Sequence, residues 1–118
     1  MDILAIFQDS GKARTYRAGE KVFAQGDAAS EMYVVLEGRV DIIVNGSLVE
    51  SLGAGSIFGE MALVDSGHRS ASAVVAVDTR LEPIDEEWFK HLIRRSPNFG
   101  LQVMSQMAKR LRRYMGQG

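Results

Sequence analysis

Cysteine is absent from the 118-residue sequence, and histidine occurs only as His68 and His91. Without cysteine the chain cannot form a disulfide bond or use a thiol in catalysis, which fits a cytoplasmic location. Two histidines far apart in the sequence offer little for a metal site, because metal sites in proteins need clustered ligands. We therefore expect a cytoplasmic protein that holds no metal and no other cofactor.

A large charge of one sign and a long hydrophobic run are absent as well. The 14 basic and 15 acidic side chains give a formal net charge of −1, so the chain has no general attraction for nucleic acid or acidic membranes. No run approaches the ~20 apolar residues that span a bilayer, and residues 1–7 lack the basic flank of a signal peptide. The remaining composition, 46% hydrophobic and 25% charged, predicts a single globular domain over residues 1–118.

Short β strands separated by glycine turns are predicted for most of the chain. The clearest strands are residues 32–36 and 39–44, and the Asn45-Gly46 dipeptide after them is typical of a two-residue hairpin. Residues 70–77 are almost all small or apolar, so they predict a strand buried on both faces. The residues 78–80 that follow predict a turn. Many short strands at regular spacing favour a barrel or a sandwich.

Helices are predicted at both ends of the chain. Residues 2–7 predict a short helix, and the negative charges of residues 85–87 favour the start of another. The apolar face of that second helix consists of Trp88, Phe89, Leu92 and Ile93. Ser96-Pro97 predicts the start of a third helix, because proline is tolerated in the first helical turn.

This last helix carries apolar residues at three- and four-residue spacing, which predicts one stripe. The stripe consists of Val103, Met104, Met107, Ala108, Leu111, Tyr114 and Met115. Four basic residues are expected mostly outside the stripe as a solvated face, namely Lys109, Arg110, Arg112 and Arg113.

The segment Ile57–Ser72 contains the residues best suited to bind a ligand. Gly59 has no Cβ and lets the backbone approach a bound group closely. Residues 60–64 predict one short helical turn, whose first N–H groups favour an anion. Arg69 follows this turn and can donate two parallel hydrogen bonds to a phosphate or a carboxylate. Glu60 is an acceptor beside an anion site, so a ligand with both a phosphate and hydroxyl groups fits the segment.

Two parts of this segment resemble the phosphate-binding cassette of cyclic nucleotide-binding domains, whose pattern is F-G-E-x-A-L, a short variable loop and R-[ST]-A-[ST]. They are Phe58-Gly59-Glu60-Met61-Ala62-Leu63 and Arg69-Ser70-Ala71-Ser72. Residues 18–27 and 32–40 are similar to two further patterns of that family, which contain its recurrent glycines. The resemblance therefore extends along the whole chain.

The resemblance implies a mainly β fold with flanking helices. The expected architecture is an eight-stranded β-roll, or double-stranded jelly-roll, with a short helix before it and a cassette helix within it. The roll is expected at about residues 13–84 and two C-terminal helices at about residues 85–115.

The resemblance also implies a role for each cassette residue. Arg69 and the Ser70 hydroxyl would bind the phosphate, Gly59 and Ala62 would offer backbone N–H groups, and Glu60 would accept the ribose 2′-hydroxyl. The predicted ligand-binding residues are Phe58, Gly59, Glu60, Met61, Ala62, Arg69, Ser70 and Ser72. A structural role is equally open for the last of these.

An apolar residue of the last helix would cover the base of the nucleotide, either in the same chain or from a dimer partner. The candidates for this cap are Leu111, Tyr114 and Met115. The expected ligand is cAMP, with cGMP as the alternative, because cGMP-selective relatives often have threonine at the position of Ser70. We expect the last helix to move on binding, because its methionines are flexible packers.

The function implied by the resemblance is that of a non-enzymatic sensor. Two alternatives stay open: the N-terminal effector domain of a catabolite-activator-type transcription regulator lacking its DNA-binding domain, and the cytoplasmic domain of a cyclic-nucleotide-gated ion channel. The partner would be a second copy bound through the C-terminal helix, an effector protein or a further output domain. Nucleic acid is not expected to bind this chain alone.

A cupin-type enzyme is disfavoured because it needs clustered histidine and carboxylate ligands. A family member that binds nothing is disfavoured because Glu60 and Arg69 are both present.

Overall fold

The computed structural model of the chain describes residues 3–64 and 67–115, apart from the side chains of Ala62, Val64 and Tyr114. Within this part the chain forms eight strands and four helices, and the predicted β-roll with flanking helices is confirmed. The strands are β1 (Arg14–Tyr16), β2 (Lys21–Phe23), β3 (Glu31–Glu37), β4 (Val40–Val44), β5 (Ser47–Leu52), β6 (Ile57–Phe58), β7 (Ser72–Val75) and β8 (Thr79–Asp85). The helices are α1 (Ile3–Ile6), α2 (Met61–Val64), α3 (Glu86–Arg95) and α4 (Pro97–Tyr114).

The strands form two antiparallel sheets of four strands each. The first has the order β1-β8-β3-β6, and the second has the order β2-β7-β4-β5. β3 contributes side chains to two separate hydrophobic cores, because successive side chains of a strand point to opposite faces. Its Tyr33 and Val35 pack in the core of the roll, whereas Met32 and Val34 pack in a second core with the helices.

The hairpin between β4 and β5 turns at Asn45-Gly46, as predicted. Asn45 has a φ of 50° and Gly46 a φ of 80°, and positive φ at both central residues is the geometry of a type I′ turn. Val44 pairs with Ser47 directly across the turn. The local sequence therefore sets the register of the hairpin.

The prediction of a strand buried on both faces at residues 70–77 is wrong. β7 covers only Ser72–Val75, and its burial alternates: Ala73 and Val75 are fully buried, whereas Ser72 and Val74 are half-buried. The second sheet is covered on one face only, so small and apolar side chains also occupy its outer face. β8 begins at Thr79, so the turn expected at residues 78–80 lies slightly earlier in the chain.

The second core joins α1, α3 and α4 to the outer face of the first sheet. Phe99 of α4 is fully buried, and its ring meets Phe7 edge-on at 5.8 Å and Phe89 at 6.0 Å. Asp85 caps α3 by accepting a hydrogen bond of 2.8 Å from the backbone N–H of Trp88. The packing of Phe99 therefore fixes the start of α4 on the roll.

None of the helices in the described part is long and apolar enough to cross a membrane.

The prediction that α4 has a single apolar stripe is wrong. Val103 is buried and Met107 is partly buried, but Met104, Leu111 and Met115 are 59%, 59% and 64% exposed. Arg110, expected mostly outside the stripe, turns toward the roll, where its side chain is 16% exposed. The helix has two apolar stripes at helical spacing, and the packing partners decide which of them is buried.

Candidate ligand-binding site

A cavity of about 660 Å³ lies between the second sheet, the segment around α2 and the outer half of α4. Its volume falls within the range of small-molecule pockets in proteins. Apolar side chains form most of its wall, namely Phe23, Ile42, Val44, Val49, Leu52, Phe58, Met61, Met107 and Leu111. The charged side chains that line it are Glu50, Glu60, Arg69 and Arg110. In the described part of the chain, no group of three His, Cys, Asp or Glu residues could hold a metal ion.

The turn at Gly59 forms one end of the cavity and requires glycine for two reasons. Its φ of 73° lies in the left-handed region, which is costly for residues with a Cβ. A Cβ built at this position would also lie 2.7 Å from Nη1 of Arg69. The backbone therefore runs directly against the guanidinium group.

Arg69 is buried although it lies in a loop, with only 8% of its surface exposed. Its Nη2 donates to the carbonyl of Glu31 at 2.6 Å, and its Nη1 donates to the carbonyl of Gly59 at 3.2 Å. The guanidinium carbon lies 3.9 Å from the centroid of the Phe23 ring. The backbone N–H of Arg69 donates to the carbonyl of Asp27 at 2.7 Å. These contacts hold the side chain at the wall of the cavity.

The Nε of Arg69 is buried and has no hydrogen-bond partner among the described residues. No carboxylate in that part of the chain forms an ion pair with this arginine. Burial lowers the pKa of Arg69, and the nearby Tyr33 and Glu31 oppose this effect. An arginine stays protonated in proteins, so the cavity holds a cation with an unused donor. This arrangement fits an anionic ligand group.

Arg110 of α4 reaches across the cavity to two carboxylates. Its Nη1 lies 3.0 Å from Oε1 of Glu60, and its Nε lies 3.3 Å from Oε2 of Glu50. Its Nη2 donates to the carbonyl of Ile57 at 2.6 Å. The other oxygen of Glu50 pairs with Nη1 of Arg113. This ionic cluster ties the outer half of α4 to the roll.

Gln106 adds a neutral contact between α4 and the roll. Its Oε1 accepts from the backbone N–H of Ile57 at 2.8 Å, and its Nε2 donates to the carbonyl of Gly55 at 2.9 Å. β6 is an edge strand of the first sheet, so its outer backbone groups need such partners. The side-chain amide of Gln106 therefore completes the edge of the sheet.

The family model of the cyclic nucleotide-binding domain matches residues 13–96 of the chain. The chain belongs to this family. Most of the residues predicted to form the phosphate-binding cassette of this family thus line a cavity whose wall includes the buried side chain of Arg69.

Individual relatives agree with this assignment. The chain is 39% identical over 104 residues to the cyclic AMP receptor protein of Thermus thermophilus, a match covering 84% of this chain and 48% of that protein. It is 37% identical over 82 residues to the cAMP-dependent protein kinase regulatory subunit of Debaryomyces hansenii, covering 68% of this chain and 18% of that protein. The crystal structure of the Thermus thermophilus catabolite activator protein superimposes with a TM-score of 0.78 at 37% identity, covering 89% of this chain and 52% of that one. The chain thus spans about half the length, or less, of these relatives.

The structure brings most of the predicted residues of the cyclic nucleotide-binding domain to the cavity. Those that line it are Phe58, Gly59, Glu60, Met61, Arg69, Ser70 and Leu111. Ser72 does not line it, because it lies in β7 and its Oγ accepts from the backbone N–H of Gln25 at 2.8 Å. Met115 does not line it either. The side chains of Ala62 and Tyr114 lie outside the described part of the structure. The binding roles of all these residues stay predictions.

Sequence reasoning missed the three polar residues Glu50, Gln106 and Arg110. A signal existed for the two on α4, because residues 103, 106, 107 and 110 recur at helical spacing and share one face with the buried Val103. No comparable signal existed for Glu50, whose neighbours in β5 are exposed.

Proposed function

We propose that this domain binds a cyclic nucleotide, with cAMP preferred over cGMP, and that it performs no chemistry on the ligand. The observation that carries the proposal is the buried Nε of Arg69, a protonated donor without a partner in the described residues, at the wall of a cavity in a member of this family. A cyclic phosphate would supply the missing negative charge beside this guanidinium group.

The other cavity residues would bind the sugar and the base. In the described part of the chain, Oε1 of Glu60 pairs with Arg110 and its Oε2 has no partner, so a ribose hydroxyl could donate to Oε2. Ser70 is an exposed residue of the cavity wall, and its hydroxyl would donate to the phosphate beside Arg69. The apolar wall, including Val49 and Leu111, would contact the flat faces of the purine.

The preference for cAMP rests on Ser70 and on the names of two relatives, a cyclic AMP receptor protein and a cAMP-dependent kinase subunit. Calorimetric titration of the 118-residue chain with cAMP and with cGMP tests both parts of the proposal. We expect cAMP to bind with higher affinity than cGMP, so that its heat of binding appears at a lower nucleotide concentration. Absence of binding to either nucleotide would refute the proposal, and tighter binding of cGMP would refute only the stated preference.

Replacing the serine sharpens this test, since a threonine hydroxyl has a more restricted rotamer. Ser70→Thr should move the ratio of the two affinities toward cGMP. Ser47→Thr, at an exposed position in the β4–β5 hairpin, is the matched control and should leave the ratio unchanged.

We also infer that α4 reports the binding of the ligand. Arg110 and the proposed ribose site share the carboxylate of Glu60, so binding of the ligand acts on a group that also holds the outer half of the helix. A ligand can shift the helix only by the difference in its affinity for the two helix positions. Hydrogen exchange of residues 101–115 with and without cAMP measures this shift. Equal protection in both states would show that α4 does not respond.

The exposed stripe of α4 favours a second copy of this chain as a partner. Its members follow a three-four spacing, namely Leu101, Met104, Ala108, Leu111 and Met115, which is the pattern of a coiled-coil seam. Four of them are 59–64% exposed. We propose a parallel helix pair, which would place the Leu111 edge of each cavity beside the partner helix.

Charge in the seam should prevent this pairing. Light scattering should show a dimer for the unaltered chain and a monomer for Met104→Glu, because a buried unpaired carboxylate is costly. Ser105→Glu, on the adjacent exposed position, is the control and should stay dimeric. A monomer before any substitution would rule out the pairing.

A further inference from the structure

Glu50 is a carboxylate of the cavity wall that lies outside the cassette. It stands on β5, where its neighbours Val49 and Ser51 are exposed, yet its own side chain is only 8% exposed. Both of its oxygens are paired with arginines of α4: Oε2 with Nε of Arg110 and Oε1 with Nη1 of Arg113. A buried carboxylate with two such partners acts as a fixed anchor.

The position of Glu50 decides how Arg110 meets the cassette. A guanidinium group is planar, so the direction of Nε sets the directions of both Nη atoms. With Nε on Glu50, Nη1 of Arg110 lies 3.0 Å from Oε1 of Glu60 and Nη2 lies 2.6 Å from the carbonyl of Ile57. All three nitrogens of Arg110 therefore have partners, and Glu50 supplies the one that orients the other two.

Arg110 in turn fixes the side chain of Glu60 but pairs with only one of its two carboxylate oxygens. The ion pair involves Oε1 only, and Oε2 has no partner among the residues that the structure describes. An ionised carboxylate accepts hydrogen bonds at both oxygens. The side chain of Glu60 is 12% exposed, so its orientation depends on this pairing more than on solvent.

We propose that Glu50 is a positioning residue for nucleotide binding: through Arg110 it holds the carboxylate of Glu60 in the orientation that accepts the ribose 2′-hydroxyl. This inference rests on the proposed function of the cavity. It assigns a role in affinity to a residue that does not itself contact the ligand.

The test compares two ligands that differ only in the 2′-hydroxyl, cAMP and 2′-deoxy-cAMP, on the unaltered 118-residue chain and on Glu50→Gln. Glutamine keeps the size of the side chain and removes its charge. The affinity for cAMP should fall about three- to tenfold, because contacting groups of one network are coupled. The affinity for 2′-deoxy-cAMP should fall less than about twofold, because this ligand has no hydroxyl for Glu60 to accept.

A purely structural role would give a different pattern. If Glu50→Gln only loosened α4, the affinities for both ligands would fall by the same factor. If it acted only by removing a negative charge, the affinities for both anionic ligands would rise. Either result overturns the proposal, as does an unchanged affinity for cAMP. If the unaltered chain binds neither ligand, the proposed function itself fails, and the two failures are thus distinguishable.

Two further variants complete the experiment. Glu37→Gln removes an exposed carboxylate that pairs with Arg80 away from the cavity, and it should leave both affinities unchanged. Glu50→Asp keeps the charge on a side chain that is too short to keep the same contact with Arg110. If thermal unfolding shows that Glu50→Gln is not folded, Glu50→Asp takes its place, and the same outcomes then decide for or against the proposal.

Discussion

The two walls of the cavity are held in place by different kinds of contact. On the cassette side, Gly59 brings the backbone against Arg69, and Arg69 donates to backbone carbonyls. On the side of α4, the contacts are made by the long side chains of Gln106 and Arg110. Backbone groups keep their places in the folded chain, whereas side-chain contacts across a cavity can shift with the helix that carries them. The wall formed by Gly59 and Arg69 is therefore preset, and the wall formed by α4 is adjustable.

The packing of α4 along its length supports this division. Phe99 and Val103 are buried in the core between the helices and the first sheet. Beyond them, Met107 is partly buried, while Leu111 and Met115 are largely exposed. Segments with few buried apolar contacts open locally at lower free energy than the core. We therefore expect the outer half of α4 to loosen first.

Loss of Arg69 should have the largest effect on binding. Removing a charge-assisted partner of the phosphate costs about 1.5–3 kcal/mol, so Arg69→Ala should weaken cAMP binding roughly ten- to a hundredfold. Arg110→Ala acts through Glu60 and should cost less than about tenfold. Titration of both variants under identical conditions measures the difference.

The control for this pair is Arg80→Ala, which removes an arginine whose partner, Glu37, is exposed and distant from the cavity. It should bind like the unaltered chain. A greater loss for Arg110→Ala than for Arg69→Ala would contradict the division into a preset and an adjustable wall.

Gly59→Ala should lower the stability of the preset wall. The left-handed backbone costs about 1–2 kcal/mol for alanine, and the contact of 2.7 Å with Nη1 of Arg69 adds to this. Denaturant unfolding measures the loss. Gly53→Ala is the matched control, because its φ is not in the left-handed region and a Cβ there would meet nothing within 4 Å. Equal stability of the two variants would show that the turn at Gly59 tolerates a side chain.

Gln106→Ala should loosen the adjustable wall. The change leaves the N–H of Ile57 and the carbonyl of Gly55 without their partner, at a cost of about 1 kcal/mol. Faster hydrogen exchange is expected in residues 107–115, with little change in the strands of the roll. The exposed Lys109 of the same helix provides the control, Lys109→Ala. Uniformly faster exchange throughout the roll would mean that α4 and the roll open as one unit.

Arg113→Ala should have the smallest effect. This side chain is 57% exposed, so its pair with Glu50 is screened by water and should contribute no more than about 0.5 kcal/mol to stability. Comparison with Arg110→Ala, which removes a side chain that is 16% exposed and has three partners, shows how much more the buried side chain contributes. Similar losses of unfolding free energy in the two variants would show that the exposed pair is as important as the buried one.

The sequence alone determined the features that depend on local backbone geometry. The hairpin at Asn45-Gly46 follows from the need for positive φ at both central residues. The cap of α3 at Asp85 and the start of α4 at Pro97 follow from the needs of a helix N-terminus. The turn at Gly59 likewise reflects a conformation that favours glycine. Each of these signals lies within a few neighbouring residues.

The tertiary structure decided which faces meet. α4 carries two apolar stripes, and its own sequence does not show that Val103 and Met107 turn inward while Met104 turns outward. The choice depends on partners distant in the chain: Arg110 pairs with Glu60, 50 residues before it. Burial of β7 on one face only depends likewise on what covers the second sheet. A pattern within one element shows which faces can pack, but the surfaces brought opposite it by the fold select among them.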